Sequence, residues 1–312
     1  MAILTSLWQF LTSPRLPQVA LAFIDNEAVL LNIKKRRGNF YVEHIATAFL
    51  PKALLRPDFS ASNISEVNSL VDLIRQASSR AKLSRQSRWS IALPEEVART
   101  MVVKLDTKPQ NQEELEKMLA WKVERIVGLP MSQLRLVHQQ IPNISMTYLV
   151  TVVAETVMAE YEKVFSQLGW QTGLIMPRHI GEATWLMKSN LAGDKLLVSH
   201  NNWGFTAFVL REGSPVMIRS RECAREDLES ELFRLATYYQ EKIMLPQNNN
   251  LNLLIIGDNE KVELTSKTFA DALNQINLKV LQPSEFAINI PDNNYQFNQI
   301  AAAAGLATLA YN

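Results

Sequence analysis

The chain has 312 residues, of which 47% are hydrophobic and 20% charged, and its net charge is +1. This balance excludes a mainly disordered chain and the large basic surface that duplex nucleic acid requires, so we expect no nucleic-acid partner. The one cysteine, Cys223, cannot form an internal disulfide and favours a reducing compartment. Only ten residues are glycine. Loops that bind phosphate usually need glycine, because the backbone must adopt φ > 0 and approach the ligand closely.

Charge is spread unevenly along the chain. Residues 1–100 contain 13 Lys and Arg against 8 Asp and Glu, whereas residues 222–312 contain 6 against 12. Such asymmetry can orient a protein toward a charged partner or allow a homo-oligomer. The basic run at 34–37 is interpreted as a charged hairpin tip.

The first sixteen residues are interpreted as an N-terminal arm. Leu4, Leu7 and Trp8 share one helical face, which favours a short helix docked on its own domain or a membrane or partner contact. We expect no signal peptide, and the apolar stretches fall short of the roughly 20 residues that span a bilayer.

Three apolar, β-rich runs with short turns open the folded part and predict an antiparallel meander over 19–25, 28–34 and 40–48. Ser62 and Asn63 are typical helix N-caps, and the helical spacing of apolar residues from Val67 to Ala77 predicts the helix that follows. Trp89–Leu93 is predicted to be the next strand.

Residues 97–169 are predicted to form a compact β-α-β-β-α unit. Gly128 followed by Pro130 is a typical helix end. The predicted elements are the strand 97–105, the helix 112–127, the hairpin strands 134–141 and 147–154, and the helix 155–168.

The second half repeats the meander over 195–202, 205–211 and 215–222. The helix, strand, helix, strand and helix predicted after it cover 228–243, 251–257, 262–276, 278–282 and 295–310. This duplication is similar to the actin-like ATPase fold, an α/β fold whose two lobes flank a cleft. We therefore divide the chain into five parts: an arm (1–16), the lobe 1 core (17–96), an inserted β-α-β-β-α subdomain (97–169), a return to lobe 1 (170–192) and lobe 2 (193–312).

Several segments carry a more specific resemblance. They are VALAFIDNEAVLLNIKKRRGNFYVEHIATAFLP (19–51), IALPEEVARTMVVKL (91–105), EELEKMLAWKVERIVGLP (113–130), the stretch 147–177 and the tail AAAAGLATLAY (301–311). In this order they resemble the type IV pilus assembly protein PilM and its relatives, the cell-division protein FtsA and the cytoplasmic part of the secretion protein GspL. Residues 97–169 correspond to the subdomain called 1C in that family.

The resemblance implies a cytoplasmic scaffold that is peripheral to the inner membrane. It implies as partners the short cytoplasmic N-terminal peptide of a PilN-like bitopic membrane protein and other components of the pilus inner-membrane complex. The peptide groove of the family lies between lobe 1 and subdomain 1C, which points to the helix 112–127 and the strand 97–105. Trp121 and Arg125 are candidates for an aromatic anchor and a charge there. The alternative is that Trp121 packs at a domain seam and Arg125 is solvated.

The nucleotide motifs of that family are degenerate in this chain. The first phosphate loop resembles D-x-G-x-x-x-V-K, and every alignment around Asp25 loses its glycine and its lysine. The second loop keeps Thr206 near a family Ser or Thr but no aspartate, and the adenosine segment keeps one of two glycines in Gly257-Asp258. We therefore expect a pseudo-ATPase with no catalytic residue, no metal site and no cofactor, in which Asp25, Thr206, Gly257 and Asp258 are the residual positions for ATP and Mg²⁺.

Two other functions stay open at this point. One is an active actin-like ATPase or a phosphotransferase of the sugar kinase type, which needs an acid and a glycine in each phosphate loop. The other is an FtsA-like filament-forming protein. The four histidines are dispersed, and none has a second His or Cys at metal-ligand spacing.

Overall fold

A computed structural model describes residues 16–246, 249–291 and 294–311. The predicted arm therefore lies outside the described residues except at its last position, Leu16. In the described part of the chain no helix is both long and apolar enough to cross a membrane.

Two sheets of the same design form the two lobes. The strands of lobe 1 are β1 (Val19–Ile24), β2 (Glu27–Arg36), β3 (Asn39–Phe49), β4 (Arg88–Leu93) and β8 (Gln171–Pro177). Those of lobe 2 are β9 (Asp194–Asn201), β10 (Gly204–Arg211), β11 (Ser214–Glu222), β12 (Asn250–Ile256) and β13 (Asn277–Val280). Their orders are β3-β2-β1-β4-β8 and β11-β10-β9-β12-β13, and the short strand β14 (Ile288–Asn289) adds to the lobe 1 sheet beside β3. The first three strands of each lobe are antiparallel and the last two join in parallel, which confirms the predicted duplication.

The inserted subdomain is a separate sheet with its own core. Its strands are β5 (Ala98–Lys104), β6 (Leu134–Gln140) and β7 (Thr147–Ala154), in the order β5-β7-β6. The helix α2 (Gln112–Val127) buries Leu115, Leu119 and Val123 against this sheet. It begins at the Asn111 cap and ends at Gly128, whose φ of +77° is the left-handed conformation expected at a helix end.

The remaining helices cover the two large sheets. They are α1 (Val67–Arg80), α3 (Glu155–Gln167), α4 (Arg178–Lys188), α5 (Leu228–Tyr238), α6 (Asn259–Ala272) and α7 (Phe297–Thr308). The helix predicted over 228–243 ends its α-helical part at Tyr238 and continues as a π-helical turn over Tyr239–Ile243.

The helix α3 buries its apolar face on lobe 1, although it was predicted to belong to the inserted unit, and it contacts the inserted sheet through ion pairs of Glu155 and Glu162 with Arg135 of β6. Its buried residues Val157, Tyr161 and Phe165 share a core with Leu21 and Phe23 of β1. The apolar periodicity of α3 gave its bounds correctly, but periodicity does not say which sheet a helix covers.

The predicted N-cap at Ser62 and Asn63 is wrong. The helix α1 begins at Val67, after Glu66. Asn63 is buried instead, and its side-chain amide donates to the carbonyls of Asp58 and Ala61 at 2.8 Å each. Asn63 therefore holds the preceding loop together, a role that the same side-chain chemistry supports as well as capping.

The helices α4 and α7 cross at two glycines. A Cβ on Gly181 would lie 2.4 Å from the carbonyl oxygen of Ala302, and one on Gly305 would lie 1.8 Å from that of Gly181. Both helices contribute to a core that contacts both large sheets, with Ala20 of β1 and Leu197 of β9 among its members. Only glycine permits this backbone approach, so two of the ten glycines serve the contact between the lobes.

We predict that Gly305→Ala lowers the free energy of unfolding by about 1–3 kcal/mol, because the added methyl group overlaps the Gly181 carbonyl. Helix propensity alone would change stability in the opposite direction by about 1 kcal/mol. Denaturant unfolding followed by circular dichroism measures the difference. The control is Gly213→Ala, where no atom lies within 4 Å of the new Cβ and only the φ of +77° is strained. A stability of Gly305→Ala equal to or above that of the wild type would contradict the prediction.

Candidate functional site

A cleft of about 450 Å³ lies between the lobes, where the turns after β1 and β12 and the ends of β9, α4 and α7 meet. Its lining is polar, with five amide side chains, three carboxylates and two cationic side chains. The polar lining residues are Asp25, Asn26, Glu27, Arg178, His200, Asn202, Asp258, Lys261, Gln296, Asn298 and Gln299. Asp25, Gly257 and Asp258, three of the sequence-predicted nucleotide positions, come together here.

The turn between β1 and β2 contains only two residues. Ile24 pairs with Glu27, so Asp25 and Asn26 alone form the turn, and Asp25 has a φ of +51°. A turn this short offers few backbone N–H groups with which to surround a phosphate. The Asp25 side chain that it places at the cleft is a carboxylate, which would repel a phosphate.

The turn between β9 and β10 has the same length. Asn201 pairs with Gly204, and the backbone N–H of Trp203 donates to the Asn201 side chain at 2.9 Å. Gly204 has a φ of +148°, and a Cβ there would lie 2.0 Å from the Arg221 carbonyl oxygen. This glycine therefore serves close packing against β11.

Thr206 lies outside the cleft lining. It is buried in β10, and its hydroxyl donates to Glu95 at 2.6 Å and lies 2.8 Å from the hydroxyl of Ser220. The structure therefore does not bring Thr206 together with the other three residual nucleotide positions.

Asp258 caps the helix α6 at the edge of the cleft. Its carboxylate accepts from the backbone N–H of Lys261 at 2.9 Å and lies 3.5 Å from the Lys261 ammonium. The pKa of Asp258 is lowered: burial opposes ionisation, but the backbone hydrogen bond and the charge of Lys261 outweigh it. The N-terminus of α6 thus already holds an internal anion.

Arg178 occupies the base of the cleft, and sequence reasoning missed it. It is 3% exposed and begins α4. Its guanidinium donates to Glu182 at 2.9 Å and to the His200 carbonyl at 2.8 Å, and it lies 3.9 Å from Asp25. Because His200 belongs to lobe 2 and the other partners to lobe 1, Arg178 links the lobes.

Glu95 forms a second buried link. Its carboxylate lies 2.8 Å from His179 Nδ1 and accepts a hydrogen bond from Thr206 of lobe 2. Burial disfavours the charged carboxylate, but the charge and hydrogen bond of His179 outweigh burial and lower the pKa of Glu95 to about 2. Glu95 lies 84 residues from His179 and 111 from Thr206 in sequence, and Arg178 lies 22 residues from His200, so no local motif predicts these contacts. Pro94 and Pro177 before them are the nearest local signals.

His200 is neutral at the cleft wall. Burial lowers its pKa to about 3. Its Nε2 lies 2.8 Å from the hydroxyl of Thr265, and that hydroxyl donates to the carbonyl of Lys261. Since the hydroxyl proton is used there, Nε2 carries the imidazole proton and donates. His200 therefore adds no positive charge for a phosphate.

A second cavity, which we call the subdomain groove, lies where the inserted subdomain meets both lobes. It measures about 480 Å³ and has Phe59, Arg99, Met101, Ile126, Trp203 and Arg221 among its lining residues. Ile126 at the end of α2 is 63% exposed and Trp203 is 60% exposed. The Arg99 guanidinium lies 4.9 Å from the centre of the Phe59 ring. The groove thus combines exposed apolar surface with charged side chains at its walls.

Trp121 and Arg125 lie on the outer face of α2, away from its buried stripe. Trp121 is 54% exposed, and the Arg125 guanidinium stacks over its ring at 4.8 Å. Neither residue lines the subdomain groove. The structure therefore places these two candidates on a separate surface from Ile126, although all three belong to one helix.

The described part of the chain contains no group of three or more His, Cys, Asp or Glu side chains placed to hold a metal ion. Of the cleft acids, Asp258 caps α6 beside Lys261 and Asp25 lies 3.9 Å from Arg178.

Comparison with known proteins rests on structure alone, because no protein-family model and no curated protein matches the sequence. A chain from a PilM–PilN type IV pilus biogenesis complex superposes with a TM-score of 0.73 and 16% identity, covering 96% of this chain and 100% of the other. A Bacteroides thetaiotaomicron protein with an actin-like ATPase fold superposes with a TM-score of 0.54 and 10% identity, covering 94% of this chain and 96% of the other. The cytoplasmic domain of EpsL, from the Vibrio cholerae type II secretion system, superposes with a TM-score of 0.50 and 10% identity, covering 94% of this chain and 93% of the other.

The chain has the actin-like fold. The expected two-lobe α/β architecture is thereby confirmed. Within that fold the cleft is the space between the lobes. The β1–β2 turn faces it from lobe 1 and the β9–β10 turn faces it from lobe 2.

Glu96 gives this interlobe region a distinct pH dependence. Burial raises its pKa to about 7 from the usual 4.5. Between these values the folded state binds more protons than the unfolded state, so the free energy of unfolding falls as pH rises. We predict that Glu96→Gln is more stable than the wild type by about 1–3 kcal/mol at pH 8 and about equal to it at pH 4.5. Urea unfolding at both pH values tests this, with the exposed Glu229→Gln as control. An equal effect at the two pH values would contradict the prediction.

Proposed function

We propose that this chain is a non-catalytic scaffold of a type IV pilus or related secretion assembly complex. The observation that carries the proposal is that both turns facing the cleft contain only two residues, in a fold that a chain of a PilM–PilN complex shares over 96% of this chain. We place it in the cytoplasm, held at the inner membrane by a partner. Phosphate binding at such turns depends on several inward backbone N–H groups, which turns of this length do not supply.

The charges of the cleft support the same proposal. Asp25, Glu27 and Asp258 face the cleft, whereas Arg178 is engaged by Glu182 and the His200 carbonyl, and Lys261 lies beside Asp258. A nucleoside triphosphate would therefore meet carboxylates without a free cation to offset them. Like charges at short range in a partly desolvated cleft repel strongly.

We propose that the subdomain groove holds the partner, a short cytoplasmic peptide of a PilN-like membrane protein. An extended or helical peptide binds best where exposed apolar anchors are flanked by charged rims. Ile126 and Trp203 supply the anchors, and Arg99 and Arg221 supply charge. The outer face with Trp121 and Arg125 is the competing location for the same partner.

We predict that 2 mM Mg·ATP changes the free energy of unfolding by less than about 0.5 kcal/mol, which corresponds to a dissociation constant above about 1.5 mM. Thermal unfolding with and without Mg·ATP measures this change, and Mg·GTP serves as a second nucleotide. Tight ATP binding that is weakened by Asp25→Ala or by Gly257→Val would overturn the non-catalytic assignment and favour an active ATPase or kinase.

We predict that Ile126→Asp raises at least tenfold the dissociation constant for a synthetic peptide that covers the cytoplasmic N-terminus of a PilN-like bitopic membrane protein from the same organism. Fluorescence anisotropy of the labelled peptide measures binding. Trp121→Ala is the matched control on the same helix and should leave the constant within twofold.

The reverse pattern, with binding lost in Trp121→Ala and kept in Ile126→Asp, would move the partner to the outer face of α2. Absence of binding to the wild-type protein at 100 μM peptide, about the weak end of specific recognition, would contradict the scaffold proposal itself. Circular dichroism of both variants checks that each one folds.

A further inference from the structure

A third cavity lies on the edge of lobe 1, apart from the cleft and the subdomain groove. It measures about 600 Å³ and is lined by the β2–β3 hairpin, the end of α4 and the segment before β14 (Ile288–Asn289). We call it the edge pocket. Its lining residues that matter here are Lys35, Phe40, Trp185, Lys188, Glu285 and Phe286.

The floor of the edge pocket is aromatic. Phe40 and Trp185 meet edge to face at 6.3 Å between ring centres, and Phe286 lies 5.9 Å from Trp185. All three side chains are less than 9% exposed, so they are held by the core and present fixed ring surfaces. Such a floor favours the apolar body of a ligand.

Two ammonium groups stand over this floor. Lys35 Nζ lies 5.6 Å and Lys188 Nζ 5.1 Å from the centre of the same Phe40 ring. Neither lysine has a carboxylate within ion-pair distance among residues 16–246, 249–291 and 294–311. Lys188 donates one hydrogen bond, to the Thr308 carbonyl at 2.8 Å, which leaves further protons of its ammonium group available.

The other charges at the pocket do not neutralise the pair. Glu285 is the acid of the lining, and it is bonded to Lys279 and to the backbone N–H of Gln282. Burial and the nearby charge of Lys35 lower the pKa of Lys188 to about 8. The two ammonium groups repel each other over an apolar surface, and an anion bound between them would offset this repulsion.

We propose that the edge pocket binds a small amphiphilic anion. Its acidic head group lies between the ammonium groups of Lys35 and Lys188, and its apolar body lies on Phe40, Trp185 and Phe286. The pocket volume suits a ligand with a body of one or two rings or a short alkyl chain. Because the lining includes Ser189–Leu191 and Glu285–Ala287, which belong to the two connections between the lobes, such a ligand contacts both connections at once.

The test is a fluorescence titration of the full chain with 8-anilinonaphthalene-1-sulfonate, an aromatic anion. We expect saturable binding that weakens about tenfold in Lys35→Met and in Lys188→Met, since each variant removes a charged hydrogen-bond donor. The uncharged analogue N-phenyl-1-naphthylamine should bind both variants within twofold of the wild type. Lys34→Met is the control, because Lys34 pairs with Glu43 at 2.8 Å.

Lys35→Met is the decisive variant, because Lys188 also caps the end of α7 and its loss acts on stability as well. Equal loss of binding in Lys34→Met, or unchanged affinity in Lys35→Met, would overturn the proposal. Competition then identifies the source of the anion: displacement of the probe by octanoate indicates a free carboxylate, and displacement only by dioctanoylphosphatidylglycerol indicates a lipid head group. Displacement by neither compound overturns the proposal.

Discussion

The contact between Gly181 and Gly305 fixes how close the two lobes stand. At this crossing the backbones of α4 and α7 approach within a distance that leaves no room for a methyl group. The alanine-rich face of α7, Ala301–Ala304, then packs against β1, β2 and β4 of lobe 1, while α4 packs against β9 and β10 of lobe 2. Close packing of this kind is stiff, because a shift by a fraction of an ångström meets hard atomic overlap. The width of the cleft in front of the crossing follows from this constraint.

A buried polar network completes the contact on the cleft side. Arg178 and Glu95 each join an element of lobe 1 to a strand of lobe 2, and each has its charge balanced by a neighbouring group. Burying these charges is costly unless they remain paired, so separating the lobes would leave Arg178 and Glu95 without partners. The basic and acidic side chains between the lobes therefore pair with one another: Arg178 pairs with Glu182, and Glu95 pairs with His179.

The sequence predicted the regular elements well and the contacts between distant elements poorly. The meander strands, the helix α2 and the strand β12 follow from alternation and helical spacing, and Gly128 marked the end of α2 because a left-handed residue is required there. The packing of α3 on lobe 1 and the role of Asn63 depend on tertiary contacts that no local pattern encodes. The same holds for the cleft: Asp25, Gly257 and Asp258 were predicted to lie together, but Thr206 faces Glu95, and Arg178 was not found at all. Trp121, for which a packed domain seam was an alternative, is instead exposed.

The order of the elements along the chain has a consequence for biosynthesis, because α7 follows every strand that it covers. Its residues Phe297–Thr308 cover β1, β2 and β4 of the lobe 1 sheet, strands that are synthesised more than 200 residues earlier. The short strand β14 likewise adds to the edge of β3. Lobe 1 therefore cannot bury its second apolar face while the nascent chain is still being extended through lobe 2. During that interval the apolar face of β1 and β2 stays uncovered, so lobe 1 completes its fold only after lobe 2 has been synthesised.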